Sequence, residues 1–123
     1  MATPIFAQDA PPAAGPYSHA VKTAGVIYCS GQIHMNSEGK LVDGSIADKT
    51  ALCVRHIKAV LAAAGSSIDK VVKTTVFLSD MAHFAEMNGE YEKHFSHKPA
   101  RSCVAVKTLP KNADVEIEVI ALA

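Results

Sequence analysis

Three charged residues near the end of the chain have the types and spacing to act on a small carboxylate. Arg101 opens the strand-like run Lys98–Val106, and Glu116 and Glu118 share one face of a second run, Asp114–Ile120. Both runs are rich in valine and isoleucine with alternating polarity, which predicts β-strands. A guanidinium offers a planar fork of donors that matches a carboxylate, and a glutamate can position or deprotonate a water. The pattern predicts a site for a small carboxylate substrate, with water as the second reactant.

Length and composition predict one domain over residues 1–123 that is long enough to bury an ordinary core. The chain is 49% hydrophobic but only 6% aromatic, without tryptophan, so the core must be aliphatic. Twelve basic side chains balance 12 acidic ones, and the balance gives no electrostatic footprint for nucleic acid or an anionic membrane. We therefore expect no membrane and no nucleic acid among its partners. The first residues lack a presequence pattern, which favours a cytoplasmic location with the mitochondrion as the alternative.

The cysteines and histidines do not predict a disulfide or a metal site. Cys29, Cys53 and Cys103 are odd in number and widely spaced, so we interpret them as free thiols in a reducing compartment. The six histidines lack zinc-like spacing, and we expect no metal. We expect His56, His83 and His94, which fall in helical patterns, to lie on the surface. The full set is His19, His34, His56, His83, His94 and His97.

The elements that must position these groups follow from periodicity and turn residues. The proline- and alanine-rich segment 1–14 is expected to be irregular. Ser45, with Asp48 three residues on, forms a capping-box pattern that opens a helix, and Gly65 closes it. Ser79 or Asp80 caps a second helix, whose apolar stripe is interrupted by Asn88. The predicted elements are strands at Tyr17–Lys22, Val26–Ser30 and Val71–Leu78, a short extended piece at Leu41–Val42, a helix at Met81–Phe95, and the two closing strands.

This order of elements predicts an α+β architecture. The economical arrangement is one mixed sheet of six strands with both helices on one face. On the other face, the last strand changes from Glu116 and Glu118 to the apolar Ile120 and Leu122. A sheet face that is half apolar and open is a candidate surface for self-association, most simply in a closed ring.

An ordered set of motifs along the chain resembles the RidA/YjgF family of enamine/imine deaminases. The resemblance runs from about Ala10 to Ala121 without large insertions, and the region around Gly44–Lys49 is most similar to the fungal branch. The matching segments are Ala14–Ala20, Ser30–Ile33, Val71–Leu78, Phe84 with Asn88 and Tyr91, Pro99–Val104, Leu109–Pro110 and Val115–Glu118.

The resemblance implies a chorismate-mutase-like fold and a homotrimer whose three sheets form a central barrel. Substrate clefts would lie between neighbouring subunits. The implied reaction is hydrolysis of 2-iminopropanoate and 2-iminobutanoate, unstable products of pyridoxal-phosphate-dependent dehydratases, to 2-oxoacids and ammonia. The resemblance implies no cofactor and no metal.

The resemblance also assigns roles to residues. It makes Arg101 the clamp for the substrate carboxylate, for which the alternative is a surface or inter-subunit salt bridge, and it favours Glu116 over Glu118 as the water-activating group. A nucleophilic role of Cys103 is discounted, because the imine carbon is already electrophilic and water is the nucleophile. The implied substrate-binding residues are Tyr17, Ser30, Gly31, Asn88, Arg101 and Cys103.

Alternatives remain for three of these residues and for the function. Asn88 could pair with the main chain of the sheet, Ser30 could be an ordinary strand-end serine, and Tyr17 could simply wall the cleft. His34 replaces a proline common in the family after Gly-Gln-Ile, and we place it at the cleft rim, where it would affect substrate size. The competing functions are a non-catalytic trimer that binds 2-oxoacids, an endoribonuclease or translation inhibitor, and a holdase chaperone.

Overall fold

The computed structural model describes residues 1–123 and contains seven strands and two α-helices. The strands are β1 Thr3–Ile5, β2 Ala20–Thr23, β3 Val26–Cys29, β4 Gln32–Ile33, β5 Val71–Leu78, β6 Ala100–Ala105 and β7 Val115–Leu122. The helices are α1 Ile46–Ala63 and α2 Phe84–His94, and short 3₁₀ turns occur at Ile68–Lys70, Met81–His83 and Pro110–Asn112. No helix is long and apolar enough to cross a membrane.

All strands join one sheet in the order β1-β2-β3-β7-β5-β6, with β4 paired to β7 beside β3. The β5–β6 pair is parallel, with Thr74 opposite Arg101, and every other pair is antiparallel. The predicted mixed sheet is therefore confirmed. Since β6 has a partner on only one side, Arg101 lies on an edge strand.

The sheet has seven strands where the sequence predicted six. The prediction of an irregular segment over residues 1–14 was wrong at β1, where Thr3 pairs with Lys22 of β2. The short extended piece at Leu41–Val42 forms only an isolated bridge between Leu41 and Met35. The small strand in this region is β4 instead, which pairs its two residues with Ile117 and Glu116 of β7.

Helix α1 has the ends that its sequence predicts. Ser45 Oγ accepts the Asp48 amide at 3.0 Å, and the Asp48 carboxylate accepts the Ser45 amide, which completes the capping box. Gly65 has φ of +80°, and its amide and that of Ser66 donate to the carbonyls of Ala62 and Leu61. These bonds form a Schellman motif, in which glycine takes the left-handed conformation without steric cost.

Helix α2 starts later than predicted, because Met81–His83 forms a 3₁₀ turn before it. Asp80 caps that turn by accepting the Ala82 amide at 2.8 Å. Met81, predicted as the first residue of this helix, is exposed, while Met87 is fully buried. The Tyr91 ring stacks on Phe95 with centroids 4.5 Å apart, which anchors the end of the helix in the core.

The two faces of the sheet differ as the alternation in β7 predicts. The side chains of Val115, Ile117, Val119 and Ala121 are buried in one core of 22 residues that also contains the inner faces of α1 and α2. Both helices therefore cover the same face of the sheet. The opposite face carries Glu116, Glu118, Ile120 and Leu122, which are half-buried or exposed in the single chain.

Candidate functional site

Glu116 lies where three strands meet. It faces Ile33 of β4 on one side and Phe77 of β5 on the other. Its carboxyl side chain is half-buried and lines a cavity of about 80 Å³. Other lining residues include Tyr17, His19, Gly31, Met35 and Pro110. The structure therefore brings Tyr17, Gly31 and Glu116 together, as the resemblance implies.

The surroundings of Glu116 favour its protonated form more than water does. Burial raises the pKa of the Glu116 carboxyl, and the negative charge of Glu118 raises it further. A carboxylate with a raised pKa is a stronger proton acceptor than an ordinary glutamate. Glu118 is exposed on the same strand face, two residues away, so it acts on Glu116 through its charge.

Gly31 and Ser30 shape the cavity from the end of β3. A β-carbon at position 31 would lie 2.8 Å from Cδ of Glu116, so only glycine allows the carboxyl group its present position. The Ser30 hydroxyl donates to the carbonyl of Ser18 at 2.8 Å, and its amide donates to His19. The hydroxyl of Ser30 thus ties two segments of the cavity wall together, which is the structural role left open for it.

Tyr17 stands at the opening of the same cavity. Its side chain is 46% exposed, and its hydroxyl accepts the amide of Ala14 at 3.3 Å. The phenol proton is therefore directed away from that bond and free to donate elsewhere.

His19 fixes the segment that forms the outer wall of this cavity. Its Nδ1 accepts the Ala7 amide at 2.9 Å, and its Nε2–H donates to the carbonyl of Pro11 at 2.8 Å. Both bonds are buried and hold residues 7–11 against the domain. Sequence reasoning gave His19 no role, because its partners lie in a segment that was expected to be irregular.

Arg101 lies in a second group of residues with Asn88 of α2. Its Nη1 donates to Oδ1 of Asn88 at 2.6 Å. Its guanidinium carbon lies 5.5 Å from the ring centroid of Phe84 and 4.8 Å from that of Tyr91. The three ion pairs of the chain are Lys49–Asp114, Lys93–Glu90 and His94–Glu90, so the alternative of a salt bridge to Arg101 does not hold within one chain.

This second group settles one open alternative and adds two residues that sequence reasoning missed. Asn88 pairs with a side chain of the sheet rather than with its main chain. Phe84 and Tyr91 occurred in the family motif without a role. Together with Asn88 they occupy positions i, i+4 and i+7 of one helix face, and that spacing was the signal for a shared contact.

Cys103 follows Arg101 by two residues on β6, so the two side chains lie on the same face of the sheet. Cys103 is paired with the fully buried Val76 of β5. Burial raises the pKa of its thiol, against a smaller lowering by Arg101. Burial likewise raises the pKa of Cys29, to about 12. A thiol with a raised pKa is a poor nucleophile at neutral pH, which supports a packing or backbone role for Cys103.

Two histidine predictions were wrong. His34 is 2% exposed and does not reach the cleft rim: its Nδ1–H donates to Val42 and its Nε2 accepts the Asp114 amide. His56 is buried on α1 and not on the surface, since it donates to the Met35 carbonyl at 2.6 Å. Burial lowers the pKa of both rings. No group of three or more histidine, cysteine, aspartate or glutamate side chains is placed to hold a metal ion.

The two groups of candidate residues lie on opposite faces of the sheet. Arg101 is in register with the fully buried Thr74 and contacts α2, so it belongs to the helix-covered face. Glu116 alternates with the buried Val115 and Ile117 and therefore projects from the open face. A small substrate cannot touch both side chains of one chain through the sheet. Within a single chain the two groups are therefore separated by the sheet.

Comparisons with known proteins agree with this arrangement of elements. A family model described as Endoribonuclease L-PSP matches residues 7–123. The Saccharomyces cerevisiae protein HMF1 is 53% identical over 120 residues, which cover 97% of this chain and 93% of HMF1. The mitochondrial protein MMF1 of the same yeast is 50% identical over 121 residues, which cover 98% of this chain and 83% of MMF1. The predicted similarity to fungal proteins is confirmed.

Solved structures show the same fold. The YjgF gene product of E. coli matches with a TM-score of 0.91 at 39% identity, over 98% of each chain. E. coli TdcF, solved with bound serine, matches with a TM-score of 0.92 at 36% identity, again over 98% of each chain. These matches confirm the predicted α+β fold.

Proposed function

Because the chain belongs to the RidA/YjgF family, we propose that it hydrolyses 2-iminopropanoate and 2-iminobutanoate to the corresponding 2-oxoacids and ammonia. The observation that carries the proposal is a pair of groups: the Arg101 guanidinium, which has no acidic partner in its own chain, and the half-buried Glu116 carboxyl, whose pKa is raised. The guanidinium suits a substrate carboxylate, and the carboxyl suits a water that must lose a proton.

The site is completed between subunits in this proposal. The chain forms a homotrimer, and each cleft takes Arg101 from one subunit and Glu116 from its neighbour. Support comes from their opposite placement on the sheet and from the open face, where the large side chains of Tyr28 and Leu122 are about half exposed. An exposed apolar sheet face is suited to self-association, and a closed ring covers it in every copy.

The chemistry follows from these positions. Arg101 binds the substrate carboxylate in a bidentate pair and fixes the imine carbon beside the cavity of Glu116. Glu116 accepts a proton from water as the water oxygen bonds to the imine carbon and the C=N π electrons move to nitrogen, and the same proton is then passed to that nitrogen to give the carbinolamine. Glu116 next takes the proton of the carbinolamine hydroxyl and returns it to the nitrogen, so that the C=O bond forms as the C–N bond breaks, and the 2-oxoacid and ammonia leave. Gly31 allows the carboxyl group into position, and Tyr17 and Cys103 bound the cleft.

A second candidate function is the reversible binding of small carboxylates without hydrolysis. TdcF was solved with bound serine, which is itself a small carboxylate. The same Arg101 group would serve such a role, whereas a half-buried glutamate would have no task in it. RNA cleavage, which the family description names, has no counterpart in the balanced charge of the chain. We place a holdase chaperone role below imine hydrolysis and below carboxylate binding.

The cellular compartment of the protein is likewise a proposal. We place the chain in the cytoplasm, with the mitochondrion as the alternative. The yeast relative MMF1 is described as a mitochondrial protein.

A competition assay tests the activity. A serine or threonine dehydratase generates the imine in the presence of semicarbazide, and semicarbazone is followed by absorbance with and without the protein. We expect the protein to suppress semicarbazone while the 2-oxoacid still forms. No suppression, together with measurable binding of 2-oxobutanoate, would favour the carboxylate-binding function.

Matched variants assign the effect to the site. Arg101→Ala should abolish suppression, while Arg55→Ala removes an exposed arginine of α1 and should retain it. Glu116→Gln should slow turnover more than it weakens 2-oxobutanoate binding. Circular dichroism and size-exclusion chromatography would establish that each variant keeps its fold and assembly.

A further inference from the structure

The guanidinium of Arg101 lies over two aromatic rings of α2. Its central carbon is 5.5 Å from the centroid of Phe84 and 4.8 Å from that of Tyr91. Both distances are within the range of cation–π attraction. Asn88, halfway between the rings, accepts a hydrogen bond from Nη1 at 2.6 Å.

Every group that holds Arg101 in place is uncharged. Two ring faces and one amide oxygen contact the guanidinium, and no carboxylate forms an ion pair with it. An acidic partner would occupy donors of the fork and neutralise the charge that a substrate carboxylate must find.

Tyr91 is itself held by the sheet. Its hydroxyl and Oγ1 of Thr74 are 2.7 Å apart, and both residues are buried. Thr74 is the residue opposite Arg101 in the β5–β6 pair. The bond thus fixes the ring of Tyr91 relative to the strand that carries Arg101.

We propose that Phe84, Asn88 and Tyr91 form a neutral cradle that fixes Arg101 without an acidic partner, so that its charge remains free for a carboxylate ligand. Asn88 and Tyr91 are positioning residues in this arrangement, and they act through Arg101. The inference deepens the proposed function and rests on its assignment of Arg101 to the ligand carboxylate.

The test introduces the missing acid and measures ligand binding. Calorimetry with 2-oxobutanoate is done on the wild type, on Asn88→Asp and on Asn88→Ala. Asn88→Asp keeps the shape and the acceptor oxygen but supplies a negative partner for Arg101. We expect it to weaken binding by about tenfold or more. Asn88→Ala removes the hydrogen bond without adding charge, and its loss should be several times smaller.

Two controls separate this effect from general damage. Asn36→Asp makes the same change in an exposed loop, where Oδ1 of Asn36 accepts two main-chain amides, and it should bind like the wild type. Tyr91→Phe keeps the ring face but loses the Thr74 bond, whereas Tyr91→Leu loses the face as well. We expect the leucine variant to bind more weakly than the phenylalanine variant. A merely structural role would make Asn88→Ala at least as harmful as Asn88→Asp.

The outcomes separate the cradle from the reaction. The cradle is wrong if Asn88→Asp binds as well as Asn88→Ala or the wild type, or if the wild type binds no 2-oxobutanoate. If binding follows the expected order but the semicarbazide assay shows no hydrolysis, the cradle stands and the deaminase function falls.

Discussion

The carboxyl group of Glu116 rests against the α-carbon of Gly31, where a β-carbon would lie 2.8 Å from Cδ of Glu116. Real β-carbons do not approach other atoms so closely, so Glu116 would have to move. Gly31→Ala should therefore lower kcat by about tenfold or more, because misplacing a catalytic group by about an ångström costs up to a hundredfold. The semicarbazide assay measures the loss.

Gly89→Ala is the matched control for this change. Gly89 lies in α2, and a β-carbon there would meet nothing within 4 Å. It should retain activity and gain about 0.5–1 kcal/mol of stability from helix propensity. Full activity of Gly31→Ala would show that the present position of Glu116 is not needed for the reaction.

Removing the charge of Glu118 should shift the pH dependence of the reaction. Glu116 works as a base only when ionised, and Glu118 raises the pKa of its carboxyl. In Glu118→Gln that pKa falls, so the acid limb of the kcat/KM profile moves to lower pH. Glu38→Gln, a change on an exposed turn, should leave the limb in place. An acid limb that stays fixed or moves upward in Glu118→Gln would argue against Glu116 as the titrating base.

The buried ring of His34 should make stability depend on pH. Burial lowers its pKa, and Nε2 must be unprotonated to accept the Asp114 amide at 2.9 Å. A folded-state pKa below that of the unfolded chain favours the neutral form. The stabilisation is thus complete above about pH 6.5 and is lost as the pH falls through the lower folded-state value.

Urea unfolding at pH 7.5 and pH 5 measures this effect. His34→Gln should lose about 1–3 kcal/mol at pH 7.5 through its buried hydrogen bonds and depend less on pH than the wild type. His83→Gln, at the start of α2, should retain the dependence of the wild type. An equal pH dependence in wild type and His34→Gln would exclude His34 as its source.

Local patterns allowed much of the fold to be predicted from sequence. The capping box of Ser45 and Asp48 and the alternation of β7 depend on neighbouring residues, and both were confirmed. The strand β1 was missed, because it consists of three residues whose only reason to be extended is pairing with β2. The burial of His56 depends on the Met35 carbonyl, 21 residues away in sequence.

The sequence and its family resemblance named candidate residues, but they did not indicate which face of the sheet each side chain occupies. Strand alternation predicts which neighbours in its own strand share a face with Glu116, and it does the same for Arg101. Whether Glu116 and Arg101 share a face with each other depends on the parallel pairing of β6 with β5, in the register Thr74–Arg101. That register results from long-range packing, which local sequence patterns do not contain.

Mixing two variants that each lack one of the two groups tests the central claim most directly. Arg101→Ala and Glu116→Gln carry different affinity tags, are co-expressed, and are purified for both tags before the semicarbazide assay. If each cleft takes Arg101 from one subunit and Glu116 from its neighbour, some clefts of a mixed trimer draw both from intact copies. Purification for both tags leaves only trimers that contain both variants, and the ring geometry gives each of them one intact cleft of three, so activity should return to about a third of the wild-type level. Mixed trimers as inactive as either parent would contradict a site shared between subunits.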